Sequence, residues 1–239
     1  MRSKFHKSAF TLVELLVTIT IIATLASLTF FISSRARQGA LSAKTINNLR
    51  EIGVASGLWS SDNNSCYTIS WEPSTGNSYA QYLDPYMHGV EKYRSTDSKF
   101  IGPDKRLPVK VNKNSHPITY SANKAVWRDR GDGPPLPMAK VTNPSEVIML
   151  ADGGQDPGNL NQANATNYKL IMSIGVTGAL AQASQAIPVG PDADTSAGQG
   201  WFRYPWGKCH ALFCDGSART FKKGTILKRN IWFDTTTPP

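Results

Sequence analysis

The sequence predicts an α+β fold in which a long N-terminal helix packs on a small antiparallel β-sheet. An apolar run over residues 10–32 passes without a break into an amphipathic stretch over residues 33–60, as one long helix would. Beyond residue 60 the apolar segments are short, and the chain's 19 Gly and 15 Pro indicate strands and loops. The length of 239 residues fits one anchor and one globular β-rich domain over residues 61–239.

The apolar run over residues 10–32 is long enough to cross a membrane. As a helix it rises about 34 Å, against about 30 Å for a hydrocarbon core. A cleaved secretory signal has a shorter apolar region, so the run predicts a retained transmembrane helix behind a basic leader over residues 1–9. Its single charge is Glu14. A carboxylate deep in such a span costs about 2.5–3.5 kcal/mol on insertion scales, which indicates that Glu14 has a partner and a function.

Residues 8–19, which read SAFTLVELLVTI, resemble the processing motif of type IV pilins and type II secretion pseudopilins. The resemblance implies that a prepilin peptidase cuts between Ala9 and Phe10 and methylates the new amino terminus. It also implies that Glu14, the fifth mature residue, pairs with the amino terminus of a neighbouring subunit. Such pairing removes the penalty of leaving either charge unmatched in a low dielectric. The family usually has Gly where this chain has Ala9, so processing slower than in the family is the largest expected effect.

The helix is expected to continue to about Trp59, with Gly39 as the position where it would bend. Its apolar stripe recurs every three or four residues, at Ile46, Leu49, Ile52, Ala55 and Trp59. Strands are predicted at 66–71, 118–121, 146–151, 170–174, 210–214 and 218–221, and loops at 153–167 and 190–200. The Asp215-Gly216 pair predicts a type I′ hairpin that places Phe213 opposite Ala218 and Leu212 opposite Arg219.

Three segments of the body resemble a large pseudopilin-like group that is abundant in planctomycete- and verrucomicrobia-type bacteria. They are residues 47–55, 143–152 and 211–216. That group usually has a His ten residues before the Asp of its Asp-Gly pair, whereas this chain has Pro205 there. A role of that His is therefore not transferred to the nearby His210.

The resemblances imply a pilin-like structural subunit of a type II secretion or type IV pilus-like system, and not an enzyme. The implied location is the inner membrane, as a single-pass protein whose C-terminal domain is periplasmic or extracellular. Prepilin peptidase and other pilin or pseudopilin subunits are the implied partners. Basic residues form no long run, so no specific nucleic-acid partner is expected.

A membrane-anchored binding module for glycan or DNA is the alternative function. A net charge of +9 and a set of C-terminal aromatic residues motivate it, namely Trp201, Phe202, Tyr204, Trp206, Trp232 and Phe233. A third alternative, an anchored enzyme, needs a pocket that gathers His, Ser and Asp residues scattered along the sequence.

No catalytic residue, metal ligand or cofactor is predicted. His88, His116 and His210 lack metal-ligand spacing and are interpreted as surface or turn residues, and Asp152 and Asp215 as turn residues at strand ends. Calcium is the cofactor left open, with the loop carboxylates of Asp192 and Asp194 as the best local pair among Asp129, Asp132, Asp152, Asp156, Asp192 and Asp194. Cys209 and Cys214 are expected on opposite faces of a strand, so Cys66 is the disulfide partner open to either of them.

Overall fold

The computed structural model describes residues 11–87, 95, 97–104, 118–153, 169–170, 184–187, 189 and 202–231. Two compact units make up the chain, residues 1–41 and residues 42–239. The predicted leader and Phe10 lie outside the described residues, as do His88, His116, Asp192 and Asp194.

Helix α1 spans Leu12–Asp62 and passes through Gly39 without interruption. In the first unit, every side chain from residue 11 to residue 37 is exposed. An 18-residue window of this helix has a mean hydropathy of 2.4 and no buried side chain, so by length and composition it is able to cross a membrane. The predicted long helix with an apolar first part is thereby confirmed as one continuous element.

In the second unit, the last part of α1 buries one stripe of side chains. Leu49, Ile52 and Ala55 are at most 1% exposed and Trp59 is 6% exposed, as the periodicity predicted. Ile46 is only half-buried. The helix ends in the predicted turn cluster, where Asn64 and Ser65 have positive φ values of 54° and 53°.

The second unit contains a five-stranded sheet and a short hairpin. Strands β1 (Trp71–Glu72) and β2 (Asn77–Ser78) form the hairpin, and helix α2 (Tyr79–Met87) follows it. The sheet is built from β3 (Tyr120–Asn123), β4 (Ile148–Asp152), β5 (Lys169–Leu170), β6 (Lys208–Phe213) and β7 (Ala218–Lys222). Its order is β5-β3-β4-β6-β7, and every pairing is antiparallel except that of β3 with β5.

Both faces of this sheet are covered. Leu212 belongs to the core that includes the buried stripe of α1, whereas Ala211 and Phe213 belong to a second core on the opposite face. Alternate residues of β6 therefore point into different cores, as the two-residue period of a strand requires. Two of the predicted C-terminal aromatics, Phe202 and Tyr204, are 2% exposed and lie in the second core.

The predicted strand at 66–71 is mostly irregular, since Cys66 makes only an isolated bridge with Pro137 and β1 begins at Trp71. The strands predicted near residues 118, 146, 210 and 218 are present, shifted by one or two residues at their ends. Of the strand predicted at 170–174, only residue 170 falls within the described part of the chain.

The predicted register of the β6–β7 hairpin is wrong by one residue. Leu212 pairs with Ala218, because the loop contains residues 214–216 instead of two turn residues. Gly216 has a φ of 82°, but Asp215 does not adopt the positive φ that a type I′ turn demands. The Gly216 amide donates to the Phe213 carbonyl at 2.9 Å and closes a turn in which Gly216 has the left-handed conformation.

Candidate functional sites

Glu14 lies at the first turn of α1, where its carboxylate closes a capping box with Thr11. The amide and the hydroxyl of Thr11 both donate to Glu14 Oε2 at 2.9 Å, and the Glu14 amide donates back to Thr11 Oγ1 at 3.2 Å. Such reciprocal bonds satisfy backbone donors that have no partner within the helix. Glu14 therefore has a local role in starting the helix, and the Thr-x-x-Glu spacing of residues 11–14 is the sequence signal for that role.

The carboxylate of Glu14 is also the single negative charge along the exposed apolar part of the helix. Both capping bonds use Oε2, and within the described residues Oε1 accepts no hydrogen bond. The predicted cut between Ala9 and Phe10 leaves one residue, Phe10, before Thr11. Processing at that bond would therefore place a new amino terminus close in sequence to the carboxylate.

Residues 4–30 match the family model of the prokaryotic N-terminal methylation motif. The chain carries a type IV pilin-type methylation motif. The motif supports a pilin-like or pseudopilin-like protein that a prepilin peptidase processes and that is anchored in a membrane by its N-terminus. No curated protein and no solved structure matches the chain.

A second group of polar side chains is buried in the second unit. His210 on β6 is 2% exposed, and its Nδ1 lies 2.6 Å from Oδ2 of Asp152 on β4. The Nε2 of the same ring lies 2.6 Å from Oγ of Ser42 on α1. Ser42, His210 and Asp152 thus form one continuous hydrogen-bonded line, called here the Ser-His-Asp line.

A buried guanidinium extends this line. Arg203 is 1% exposed, with Nη1 2.9 Å from Oδ2 of Asp104 and Nη2 3.8 Å from Oδ1 of Asp152. Its Nε has no hydrogen-bond partner among the described residues. The same environment acts on Tyr120, because burial and the Asp152 carboxylate raise the pKa of its phenol.

A β-bulge in β4 decides which face Asp152 occupies. Ile148 pairs with Phe213, but Leu150 pairs with Leu212, so Met149 is an extra residue in the ladder. A bulge changes the register by one residue and thereby turns every later side chain to the other face.

The consequence of the bulge is the contact between Asp152 and His210. Continued beyond Ala151, the shifted register places Asp152 opposite His210. The unshifted register would place Asp152 opposite Cys209, whose side chain lies in the second core. The insertion at Met149 is therefore the reason why a carboxylate and an imidazole meet on the face that α1 covers.

The predictions for His210 and Asp152 are wrong. The sequence indicates a surface or turn position for His210 and a turn role for Asp152, but both side chains are buried and bonded to each other. The predicted place of Asp152 at a strand end is confirmed, since it is the last residue of β4. Alternation along β6 gives a usable signal, since His210 shares the parity of Leu212. The spacing of these residues along the sequence does not predict the bulge at Met149, and it does not predict that Ser42 is the partner of His210.

Some of the remaining predicted site residues lie in the described part of the chain, and others lie outside it. Asp129 is buried and accepts a hydrogen bond from Ser70 Oγ at 2.5 Å. Asp215 accepts a bond from the Ser217 amide in the hairpin turn, as predicted for a turn residue. Within the described residues, no three His, Cys, Asp or Glu side chains are grouped as a metal site requires. The calcium expectation stays a prediction, because Asp156, Asp192 and Asp194 lie outside the described residues.

All three cysteines lie in the described part of the chain and are free thiols. Burial raises the pKa of Cys209, and it raises the pKa of Cys214 to about 12. The expectation that Cys209 and Cys214 point to opposite faces is confirmed, since they lie in different cores. The disulfide open to Cys66 is not formed.

Proposed function

We propose that this chain is a pseudopilin-type structural subunit of a type II secretion or type IV pilus-like system. The observation that carries the proposal is the methylation motif, joined directly to a helix of exposed apolar side chains. In this proposal a prepilin peptidase cuts between Ala9 and Phe10 and methylates Phe10. The mature subunit is then held in the inner membrane by residues 10–32, with its C-terminal domain on the periplasmic side until assembly.

Exposed apolar side chains along α1 supply the physical reason for bundling. Leu12 is 80% exposed and Phe30 is 79% exposed, and the side chains between them are exposed as well. Lipid covers this surface in the membrane, so removal from the membrane requires that other apolar helices replace the lipid. Copies of the same helix provide such a surface, which favours assembly through α1.

Glu14 supplies the register of the bundle in this proposal. Its Oε2 is occupied by the capping bonds with Thr11, and its Oε1 faces no donor in the described part of the chain. The methylated amino group of Phe10 in a neighbouring subunit is a cation at the matching depth. Pairing these two charges removes the cost of burying either one alone, so subunits add only where the charges meet.

The experiment must separate the charge of Glu14 from its part in the capping box. Gln at the same position keeps the capping box, because Gln also serves as its third helical residue, but it removes the charge. Thr11→Ala does the reverse: it removes the hydroxyl of the cap and keeps the carboxylate. Each variant is expressed in cells that contain their own prepilin peptidase and assembly machinery.

We expect Glu14→Gln to be inserted, cut and methylated like the wild type, and to be absent from assembled filaments. Thr11→Ala should assemble, since the cap contributes only about 1 kcal/mol to the helix. Mass spectrometry of the N-terminal peptide reports processing, and the pelleted filament fraction reports assembly. If Glu14→Gln assembles as well as the wild type, charge pairing is not what orders the subunits. A chain that still begins at Met1 would instead refute processing itself.

The binding-module alternative receives no support from the aromatic residues that motivated it. Phe202 and Tyr204 are core residues, and Trp206 is half-buried. Trp201, Trp232 and Phe233 lie outside the described residues. The three of these six aromatic residues that the structure describes therefore provide no exposed pair of rings on which a glycan or a nucleic-acid base could stack.

A further inference from the structure

The Ser-His-Asp line has the bonding order of a nucleophile, a general base and an orienting carboxylate. We propose that Ser42 is an activated nucleophile that accepts the acyl group of a carboxylic ester, with His210 as its base. This activity goes beyond the structural role of the subunit. It rests on the geometry of the second unit alone and requires neither processing nor assembly.

The two hydrogen bonds of the imidazole select the tautomer that such a base needs. Asp152 Oδ2 accepts, so Nδ1 of His210 carries the hydrogen that lies between them, at 2.6 Å. In the neutral ring Nε2 is then an acceptor, and the Ser42 hydroxyl donates to it at 2.6 Å. The backbone amide of His210 also donates to Asp152 Oδ2, at 2.9 Å, and fixes the carboxylate against the ring. Asp152 is a positioning residue, and Ser42 and His210 are the catalytic pair.

The proposed nucleophile is the most exposed of the three side chains in the Ser-His-Asp line, as access for a substrate requires. Asp152 is 1% exposed and His210 is 2% exposed, whereas Ser42 at the near end of the line is only partly buried. The next two residues of α1, Ala43 and Lys44, are exposed. A carbonyl compound from solvent therefore meets the serine first, and the base and the carboxylate lie behind it.

The Asp152 carboxylate faces the charge that the reaction creates. Its Oδ2 lies 2.6 Å from Nδ1 of His210, so a negative group is in contact with the imidazolium that forms when Ser42 loses its proton. A surface serine without these partners has no comparable acceptor.

The acyl transfer balances without a further reagent. The Ser42 hydroxyl gives its proton to His210 Nε2 while Oγ attacks the ester carbonyl carbon. The carbon–oxygen bond to the alcohol then breaks, and the imidazolium returns the proton to the leaving alkoxide. The product is acyl-Ser42, which water hydrolyses by the same two proton transfers and so regenerates the serine.

Ser61 offers an internal control on the same helix. It is exposed, and its hydroxyl donates to the backbone carbonyl of Gly57 at 3.1 Å, so its partner is an amide oxygen and not an imidazole. A carbonyl oxygen does not take up the proton of a serine, so this hydroxyl keeps its ordinary low reactivity. Access alone would favour Ser61 over the partly buried Ser42, whereas activation by a base favours Ser42.

The test is labelling of the full-length chain in detergent with a fluorophosphonate, which phosphonylates activated serines. Peptide mass spectrometry then locates the modified residue. We expect modification at Ser42 and none at Ser61. Ser42→Ala should abolish labelling, and Ser61→Ala should leave it unchanged. No modification at Ser42, or modification at Ser61 to the same extent, overturns the proposal.

Asp152→Asn tests the positioning role, since Asn has the same shape but does not hold the required tautomer. We expect the labelling rate to fall by about 10²–10⁴-fold, the usual contribution of a general base. If this variant does not fold, as judged by tryptophan fluorescence, the ratio of Ser42 to Ser61 labelling in the wild-type chain is the deciding measurement. A purely structural bond between Ser42 and His210 predicts that Ser42 is labelled no faster than Ser61, which would overturn the proposal.

Discussion

Replacing Arg203 with Met keeps most of the volume of a buried side chain but removes the positive charge that faces two carboxylates. The side chain of Arg203 is 2% exposed, and those of Asp104 and Asp152 are 7% and 1% exposed. In the variant both carboxylates stay inside the protein, and neither has the guanidinium. The free energy of unfolding should therefore fall by more than the lost packing of one side chain would explain.

The distances give the size of the effect. Nη1 of Arg203 lies 2.9 Å from Asp104, and Nη2 lies 3.8 Å from Asp152. At an effective dielectric of about 20, unit charges about 4 Å apart attract by about 4 kcal/mol. Desolvation of the guanidinium offsets part of this attraction in the wild type. A loss of about 3–5 kcal/mol is expected, as for other buried pairs that lose one partner.

Arg219→Met is the matched control, because the chemical change is the same at an exposed position. The side chain of Arg219 is 51% exposed, lies 4.0 Å from Asp215 and stacks 4.5 Å from the ring of Phe213. Solvent screens both contacts, so the expected loss is below about 1 kcal/mol. The difference between the two losses in free energy of unfolding therefore reports the effect of burying the charge, because both variants remove an arginine.

The assay is urea unfolding of the full-length chain in detergent, followed by the fluorescence of the buried Trp59 and Trp127. Urea is uncharged and leaves ion pairs unscreened. If the two arginine variants lose the same free energy at pH 7, the network does not stabilise the fold as argued.

Two further predictions concern single residues. Iodoacetamide should alkylate Cys66 in the native protein well before Cys209 and Cys214. The reason is that burial raises the pKa of both of these thiols, that of Cys214 to about 12. Peptide mass spectrometry measures the alkylation rates, and equal rates at the three cysteines would contradict the prediction. Gly216→Ala should lower the free energy of unfolding by about 1 kcal/mol, because φ is 82° at that position. Gly57→Ala should raise the free energy of unfolding by up to about 1 kcal/mol, because Gly57 lies in a helix with open space around it. Urea unfolding measures both glycine variants, and a change of the same sign would refute the backbone argument.

The elements that the sequence predicts well are those with a local signal. The buried stripe of α1 follows from the spacing of Leu49, Ile52 and Ala55, and most strands follow from short apolar runs between turn residues. The anchor follows from length and composition alone. Each of these signals lies within one segment, so no knowledge of a distant partner is needed to interpret it.

The predicted hairpin register was wrong because the Asp-Gly pair does not fix the length of the loop. Asp-Gly is compatible with a two-residue turn and with a three-residue loop, and the two differ in the φ of Asp215. In the structure the Asp215 side chain accepts a bond from the Ser217 amide, which holds it in the longer loop. The amides of Cys214 and Asp215 also donate to the carbonyls of Val147 and Pro144, so the longer loop is held from outside the hairpin as well. This loop moves every cross-strand pair by one residue from the predicted register.

Two carboxylates illustrate where sequence reasoning stops. Glu14 is conspicuous because its neighbours are apolar, so the cost of its charge is evident from the sequence itself. Asp152 is followed by Gly-Gly, which gives a turn as a sufficient explanation, and its burial depends on the extra residue Met149 and on His210, 58 positions away. Both residues carry a charge in apolar surroundings, and that charge needs a partner. The sequence predicts this need for Glu14, because its apolar surroundings are its neighbours along the chain, and not for Asp152, whose surroundings come from distant segments.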